Sequence, residues 1–367
     1  MTRIGIYCTG DIWQSGGGSI VMRGVLESIR SDNVILFVSH YVDLPLSVSS
    51  RFNVVKLRTP KNRLLSELFD QVLGPLVLTY HGIKRVLCLN SIVPLLFPYD
   101  KFVFFQMRMF HFEEIDNIKK RFKNSLGIFS LRACRKVFVA SNDHRLDLLS
   151  HVNLPAEKVD VALLGFNGGP TICDDAVGHS GYLLFVSVLR PYKNLHSLID
   201  AYIGLYSESN QAGLDGFPDL LIVGGVPDYL GINEYIAEIQ SKIASSGLHS
   251  KIKFLGPKPH EDVINLLRGA RLFVFPSLFE GFGLPVLEAM ALGVPTACSN
   301  VHSMPEVGGD TVLYFNPNDI ESIKHTIQLG VSNYPVNLVK NAKARAAEFT
   351  WKRTVTVIED SLFRNLV

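Results

Sequence analysis

One pattern constrains this chain more than any other: short apolar runs alternate with stretches of helical period, and the alternation happens twice. In the first half, β-branched and aromatic runs occur at 4–8, 34–39, 54–57, 85–89, 102–106 and 136–140, with helical patterns at 20–30 and 64–80, the second disturbed by Pro75. In the second half, strands are expected at 182–187, 219–223, 252–255, 272–275 and 296–299, with helices near 194–206, 232–246, 261–267 and 285–292. Runs that are apolar on both faces and joined by helices make parallel sheets covered on both sides. Between the halves, "GFNGGPTICDDAVGHSG" (165–181) is rich in Gly and Asp and has no apolar period, as a linker would be. The expected fold is therefore α/β, with two Rossmann-like, doubly wound domains facing each other across a cleft. Residues 1–165 form the first, 166–181 the linker and 182–345 the second. The tail at 346–367 reads as a last helix carrying Val355, Ile358 and Leu362. Such sheets bind ligands beyond the carboxyl ends of their strands.

The chain has 367 residues, 47% hydrophobic and 19% charged, which suits two buried cores and no long disordered tract. Its net charge of +2 selects no partner, but residues 1–165 carry 21 Lys+Arg against 14 Asp+Glu, while the remainder is acidic. A basic first half is suited to an anionic partner. No reader motif interleaves with the basic residues, which excludes nucleic acid as the expected ligand. The five cysteines are scattered and form no Cys-x-x-Cys pair, against a disulfide framework or zinc site and in keeping with a reducing cytosol. "MTRIGIYCTG" reads as a first strand rather than a signal peptide, and no apolar run approaches the ~18 residues of a spanning helix. The expected location is cytoplasmic, or peripheral on the inner face of the plasma membrane.

Chemistry concentrates in "FPSLFEGFGLPVLEAMALGVPT", residues 275–296. Phe275-Pro276 closes a strand, Pro285 suits the first turn of a helix, and Gly293 stands where a helix ends. Gly281 and Gly283 leave the backbone bare before that helix, a geometry that receives phosphate or sugar oxygens. Glu280 precedes the helix and Glu288 lies about one turn inside it. Two carboxylates in an apolar setting are unusual enough to suggest two contacts to one extended ligand. A tight strand-to-helix turn with a dipole-favoured glutamate is the plainer alternative.

This stretch resembles the signature of retaining GT-B-fold glycosyltransferases of family four (glycosyl transferases group 1), in which two glutamates separated by seven residues bracket Gly-Phe-Gly. "SVLRPYKNLHSLIDAY" (187–202), "LIVGG" (221–225), "KFLGPKPHEDVINLLRGARLFVFPS", "SMPEVGGDTVLYFNPND" and "FTWKRT" continue the likeness in order. It covers nearly all of 182–360; the first half is similar in layout only. The resemblance implies a nucleotide-sugar donor and a glycan or polyprenyl-linked acceptor in bacterial polysaccharide synthesis, such as O-antigen or capsule. Mannose from GDP-mannose is the first expectation, and the C-terminal helix is expected to cross back toward the N-terminal domain.

By matching position, Arg190 and Lys193 are implied to grip the donor diphosphate, Glu280 to orient the transferred sugar and Glu288 to accept from the ribose hydroxyls. The amides of Gly281, Phe282, Gly283 and Leu284 cap sugar and phosphate oxygens in the same scheme. In the first half, Gly16, Gly17 and Gly18 of "GDIWQSGGGSIVMRG" are the candidates for a loop near the donor phosphates and acceptor, although a glycine-rich turn is common by itself. Many relatives place a histidine after the strand equivalent to "KFVFFQMRMFHFEE"; this chain has Gln106 there. Either Gln106 substitutes as a neutral sugar contact or His111 takes that role; Gln106 is the favoured sugar contact, with His111 and Glu113 as acceptor-side candidates. The family implies retention at the anomeric carbon with no metal and no cofactor, and no Asp-x-Asp pair occurs. The alternatives are a nucleotide-sugar epimerase or hydrolase on the same fold, or a catalytically silent assembly partner. Residues 117–136 add a basic helix with apolar Ile118, Phe122, Leu126, Phe129 and Ala133 on one stripe. That helix either lies on an anionic membrane surface or covers the first sheet.

Overall fold

A computed structural model describes residues 3–9, 17–90, 92–106, 118–166, 181–211, 216–227 and 231–364, with the side chains of 63–64 and 118–124 outside the description. The chain forms two compact units, Met1–Asn167 with Thr350–Val367, and Gly168–Phe349.

The first unit is built on β1 (Arg3–Cys8), β2 (Val34–Ser39), β3 (Asn53–Leu57), β4 (Ile83–Cys88), β5 (Asp100–Phe104), β6 (Lys136–Val139) and β7 (Val159–Val161). They form one parallel sheet in the order β3-β2-β1-β4-β5-β6-β7. The strands carry the apolar character of a doubly covered sheet: every residue of "VILFVS" in β2 is buried. One core joins Tyr7, Phe37, Leu78, Val86, Phe105, Leu131, Val139 and Leu148 across strands and helices. The chain's last helix, Trp351–Leu362, starts at Thr350, whose side chain accepts from the Arg353 N–H. Gly24 of the helix Gly17–Ser28 has no room for a Cβ beside the Trp351 ring, so these two helices meet only because the residue is glycine. Thr354 donates to the Leu163 carbonyl at 2.5 Å and Arg85 to the Leu362 carbonyl at 2.8 Å, which tie the tail into this unit.

The second unit holds β8 (Tyr182–Val186), β9 (Leu220–Val223), β10 (Ile252–Gly256), β11 (Ala270–Phe275), β12 (Thr296–Ser299) and β13 (Leu313–Phe315). Its sheet is also parallel, in the order β10-β9-β8-β11-β12-β13. Leu183, Phe185, Leu198, Ile222, Ile239, Leu272, Val274 and Ile323 make its core.

Two strands lie beyond the sequence pattern, β7 and β13. Each has three residues and edges its sheet. Such short runs do not complete a period. The pattern likewise omits the helices Asn142–His151, Ile320–Asn333 and Val336–Ala346. Two of their starts are nevertheless encoded: Ser141 accepts from the His144 N–H, and Asp319 accepts from the Glu321 and Ser322 N–H groups. The helix of the 275–296 stretch runs Leu284–Ala291, one residue earlier than the 285–292 pattern.

Candidate active site

In the second sheet the strand order reverses between β8 and β11, so the switch point lies beyond Val186 and Phe275. The loops leaving these two strands are fastened together there. The Tyr192 carbonyl accepts from the Leu278 N–H at 2.8 Å and from the Ser277 hydroxyl at 3.3 Å. Ser299, at the end of β12, donates to the Ser277 carbonyl at 2.7 Å, bringing a third loop into register. Asn194 holds the turn after Lys193 in a left-handed conformation at φ 59°, with its side chain donating to the Pro317 carbonyl at 2.8 Å.

This framework brings together two of the residues singled out by sequence, Lys193 and Glu280. Lys193 Nζ bonds and ion-pairs with the Glu280 carboxylate, both side chains being mostly buried. The ammonium also lies 5.2 Å from the Tyr192 ring centroid and 5.4 Å from that of Phe275, within cation–π range. Arg190 opens the same 3-10 turn, half-buried and three residues before Lys193. Thus a cation and a carboxylate far apart in sequence complete each other's charge at the switch point. The Ser303 hydroxyl adds a bond to the Glu280 carbonyl at 3.1 Å, fixing the loop that presents the carboxylate.

The glycines of the motif have a local cause. Gly283 caps the helix Leu284–Ala291 with φ 101°, a conformation an L side chain resists, and a Cβ there would run into Met304. The helix closes on Gly293 at φ 73°. The Gly293 N–H bonds the Met290 carbonyl at 3.0 Å and the Val294 N–H bonds the Ala289 carbonyl at 2.9 Å, the paired bonds of a Schellman ending. Phe282 turns inward against Phe349, ring centroids 5.8 Å apart, and Leu284 is buried, so only their backbones are placed to meet a ligand.

Glu288 is the most unusual group. It is 3% exposed on the inner side of the helix, and its Oε1 has no hydrogen-bond partner among the described residues. Burial pushes its carboxyl up to about 8. His260 Nε2 approaches Oε1 to 3.7 Å from the start of the helix His260–Arg268. A buried carboxyl oxygen without a donor calls for one from outside the protein. The sequence reading missed His260, since a lone histidine at a helix start carries no signal until the fold sets it beside Glu288.

The first sheet has its switch point between β1 and β4, and a second polar cluster occupies that position. Tyr7 and Thr9 donate to the two oxygens of Asp70 at 2.8 and 2.9 Å, and Asn90 donates to the Thr9 carbonyl and hydroxyl, both at 3.1 Å. Sequence reasoning missed this cluster too, because its four members are spread over the end of β1, the helix Arg63–Tyr80 and the end of β4. Gln106 follows β5 and donates to the Leu89 carbonyl at 3.3 Å. Gly17 and Gly18 begin the helix Gly17–Ser28. Gly16, His111 and Glu113 lie outside the described residues.

Residues 176–348 match the family described as Glycosyl transferases group 1. The chain is similar to O-antigen chain mannosyltransferase B of Escherichia coli, 31% identical over 62% of this chain and 60% of that protein, so it spans about three fifths of that relative's length. It is also similar to O-antigen chain mannosyltransferase RfbU of Salmonella typhimurium, 26% identical over 89% of each chain. A crystal structure of Anabaena HepE in complex with UDP and glucose superposes with a TM-score of 0.73 over 98% of this chain and 99% of that one, at 16% identity, a likeness of fold. The second unit is thus similar to the glycosyl transferases group 1 family over residues 176–348, and the two parallel α/β units share the GT-B fold of the solved glycosyltransferases.

Proposed function

We propose that the protein is a retaining, metal-independent glycosyltransferase that moves a sugar from a nucleotide sugar to a glycan or polyprenyl-linked acceptor in surface-polysaccharide synthesis. Mannose from GDP-mannose is the first candidate donor, in line with the O-antigen mannosyltransferases it resembles. One observation carries the reading: Lys193 and Glu280 pair at the switch point of the second sheet, on the turn that Arg190 opens, while Glu288, buried with its Oε1 short of a donor, lies about one turn inside the helix that follows.

In this reading the acceptor hydroxyl attacks the anomeric carbon on the face from which the diphosphate leaves. The bond from that carbon to the phosphate oxygen breaks, the bond to the acceptor oxygen forms, and the departing phosphate takes the hydroxyl proton. Negative charge grows on the diphosphate, and preorganised Arg190 and Lys193 stabilise it most where it is greatest. Lys193 shifts from Glu280 toward phosphate when the donor enters, releasing the Glu280 carboxylate to hold sugar hydroxyls. The ribose supplies the hydroxyl donors that Glu288 lacks. Gly16, Gly17, Gly18, Gln106 and His111 serve the sugar and the acceptor, and the protein works in the cytoplasm.

The test is a thermal-shift screen with GDP-, UDP-, ADP- and dTDP-sugars, followed by mass spectrometry of products on lipid-linked glycan acceptors with and without EDTA. A matching donor raises the midpoint by preferential binding to the folded state. The product keeps the donor's anomeric configuration, and chelation leaves the rate unchanged. If no nucleotide sugar shifts the midpoint, or only free sugar forms, the reading fails.

A further inference from the structure

The helix Arg63–Tyr80 bears a surface for which the transfer reading has no use. Leu65, Leu68, Val72, Leu73, Leu76 and Tyr80 are all exposed, Leu76 by 64% and Tyr80 by 87%. At 3.6 residues per turn these six positions fall within roughly 140° of the helix circumference and extend about 22 Å along it. The buried side of the helix carries Ser66, Gly74, Pro75 and Leu78, and Glu67 and Asp70 turn toward that side. The same arc holds half-buried Phe69, which packs on the core, and exposed Thr79, so the outward stripe is predominantly apolar and without charge. A contiguous exposed patch of this kind marks an interaction surface.

The surroundings of the stripe select its partner. Arg58 and Lys61 are exposed just before the helix and Lys84 just after it. No Asp or Glu occurs at 44–66 or at 71–99. A second copy laid on the stripe sets basic residues against basic residues in either orientation. Anionic headgroups meet both ends favourably. Tyr80, at one end of the stripe, has the amphipathic ring that settles at headgroup level. No helix among the described residues is long and apolar enough to cross a membrane, so the fitting geometry is a helix lying in the interface.

We propose that this face docks the protein on an anionic bilayer surface, with Leu65, Leu68, Val72, Leu73 and Leu76 entering the headgroup–acyl boundary and Arg58, Lys61 and Lys84 on anionic lipid. The proposal is independent of the sugar chemistry, and it names a different surface from the basic helix at 117–136.

The full chain is mixed with vesicles of phosphatidylcholine alone or with phosphatidylglycerol, at low and high salt, and sedimented. Wild type binds the anionic vesicles at low salt and loses affinity as salt rises. Leu68→Gln with Leu76→Gln lowers binding at least about tenfold, because each buried methylene of the stripe adds to the affinity. Both positions are exposed, and an unchanged circular-dichroism spectrum and melting midpoint certify the variant's fold. Lys61→Glu with Lys84→Glu weakens only the salt-sensitive part. Tyr80→Trp adds indole emission that shifts blue with anionic vesicles. The proposal is overturned by binding undiminished in the double leucine variant, which assigns the membrane to another face such as 118–133. Emission from the Tyr80→Trp variant that anionic vesicles leave unshifted overturns it too. So does a wild type that ignores vesicles, whether it stays monomeric or forms a dimer that the leucine variant dissolves.

Discussion

The two sheets offer the same place to bind and furnish it differently. Each is parallel and reverses its strand order beside its first strand, at β1/β4 and at β8/β11. At the second switch point the furniture is ionic: Lys193 faces Glu280, with Arg190 on the same turn. At the first it is a chain of hydroxyl, amide and carboxyl groups, Tyr7–Asp70–Thr9–Asn90, all joined by hydrogen bonds. Cations on preorganised loops suit a group whose charge changes during reaction. A hydrogen-bonded network suits neutral hydroxyls or the bracing of the sheet edge. The comparison teaches that the doubly wound topology fixes where ligands go, while a few side chains on the strand-end loops decide what kind.

The largest expected effect tests the ionic side. Lys193→Ala removes the cation and leaves the mostly buried Glu280 carboxylate without it. Transfer should fall by about a hundredfold or more, since loss of a charged hydrogen bond costs roughly 1.5–3 kcal/mol and the stranded carboxylate adds to it. Arg190→Ala should act in the same direction, while Glu280→Ala should lower turnover more than donor affinity. Steady-state kinetics with the donor found by thermal shift measures all three. Near-wild-type rates in Lys193→Ala would break the distinction between the two switch points.

Glu288 sharpens it. Its carboxyl sits at about 8 in the folded protein against 4.5 as the ordinary value. Between those values the folded state holds a proton that the unfolded chain has released, so stability falls as pH rises from 4.5 to about 8. The slope from one such group approaches roughly 1.4 kcal/mol per pH unit. Glu288→Gln should flatten the decline in denaturant titrations over this window and weaken donor binding at alkaline pH. A pH profile unchanged by the substitution would show that this carboxyl is not held neutral.

Gly283→Ala comes next. The φ of 101° and the nearness of Met304 both oppose a side chain, so it should cost about 1–3 kcal/mol of stability, read as a lower melting midpoint. Pro285 and Glu288 remain on the same helix, and the loss of donor affinity should follow from the displaced turn.

The unequal furnishing also explains what could be read in advance. The alternation of strands and helices and the parallel pairing follow from apolar runs and crossovers, which repeat along the chain and need no side-chain detail, whereas the three-residue edge strands β7 and β13 do not complete a pattern. Glu280, Gly283 and Glu288 stand out because one turn has to satisfy a strand end, a positive φ and two carboxylates within a few residues. The family resemblance leads one to expect phosphate at Lys193, but its bond to Glu280 spans 87 positions and only the fold could bring the two together. His260 and the Asp70 cluster were illegible for the same reason. Each is a single ordinary residue locally and gains meaning from partners on other elements. Asp70 lies 63 positions from Tyr7 and 61 from Thr9.

Asp70 supplies the smallest effect and the most direct contrast. Burial raises its carboxyl to about 6 from 3.8, while the bonds from Tyr7 and Thr9 pull the other way. Its protonated form is therefore favoured by folding between 3.8 and about 6, and stability should fall as pH rises through that window. Asp70→Asn removes the titration and exchanges one accepting oxygen for an N–H, so Tyr7 or Thr9 must turn its hydroxyl to accept rather than donate. At neutral pH the carboxyl is mostly ionised, so the substitution loses a charge-assisted bond but also removes the cost of burying the charge, and the net cost should be about 1 kcal/mol. Because the network belongs to the first unit, the shift produced by the nucleotide donor in a thermal screen should match wild type. A donor shift lost in Asp70→Asn, with the fold intact, would mean that the first switch point also contributes to nucleotide binding, and the division between an ion-paired site and a hydroxyl-braced one would have to be redrawn.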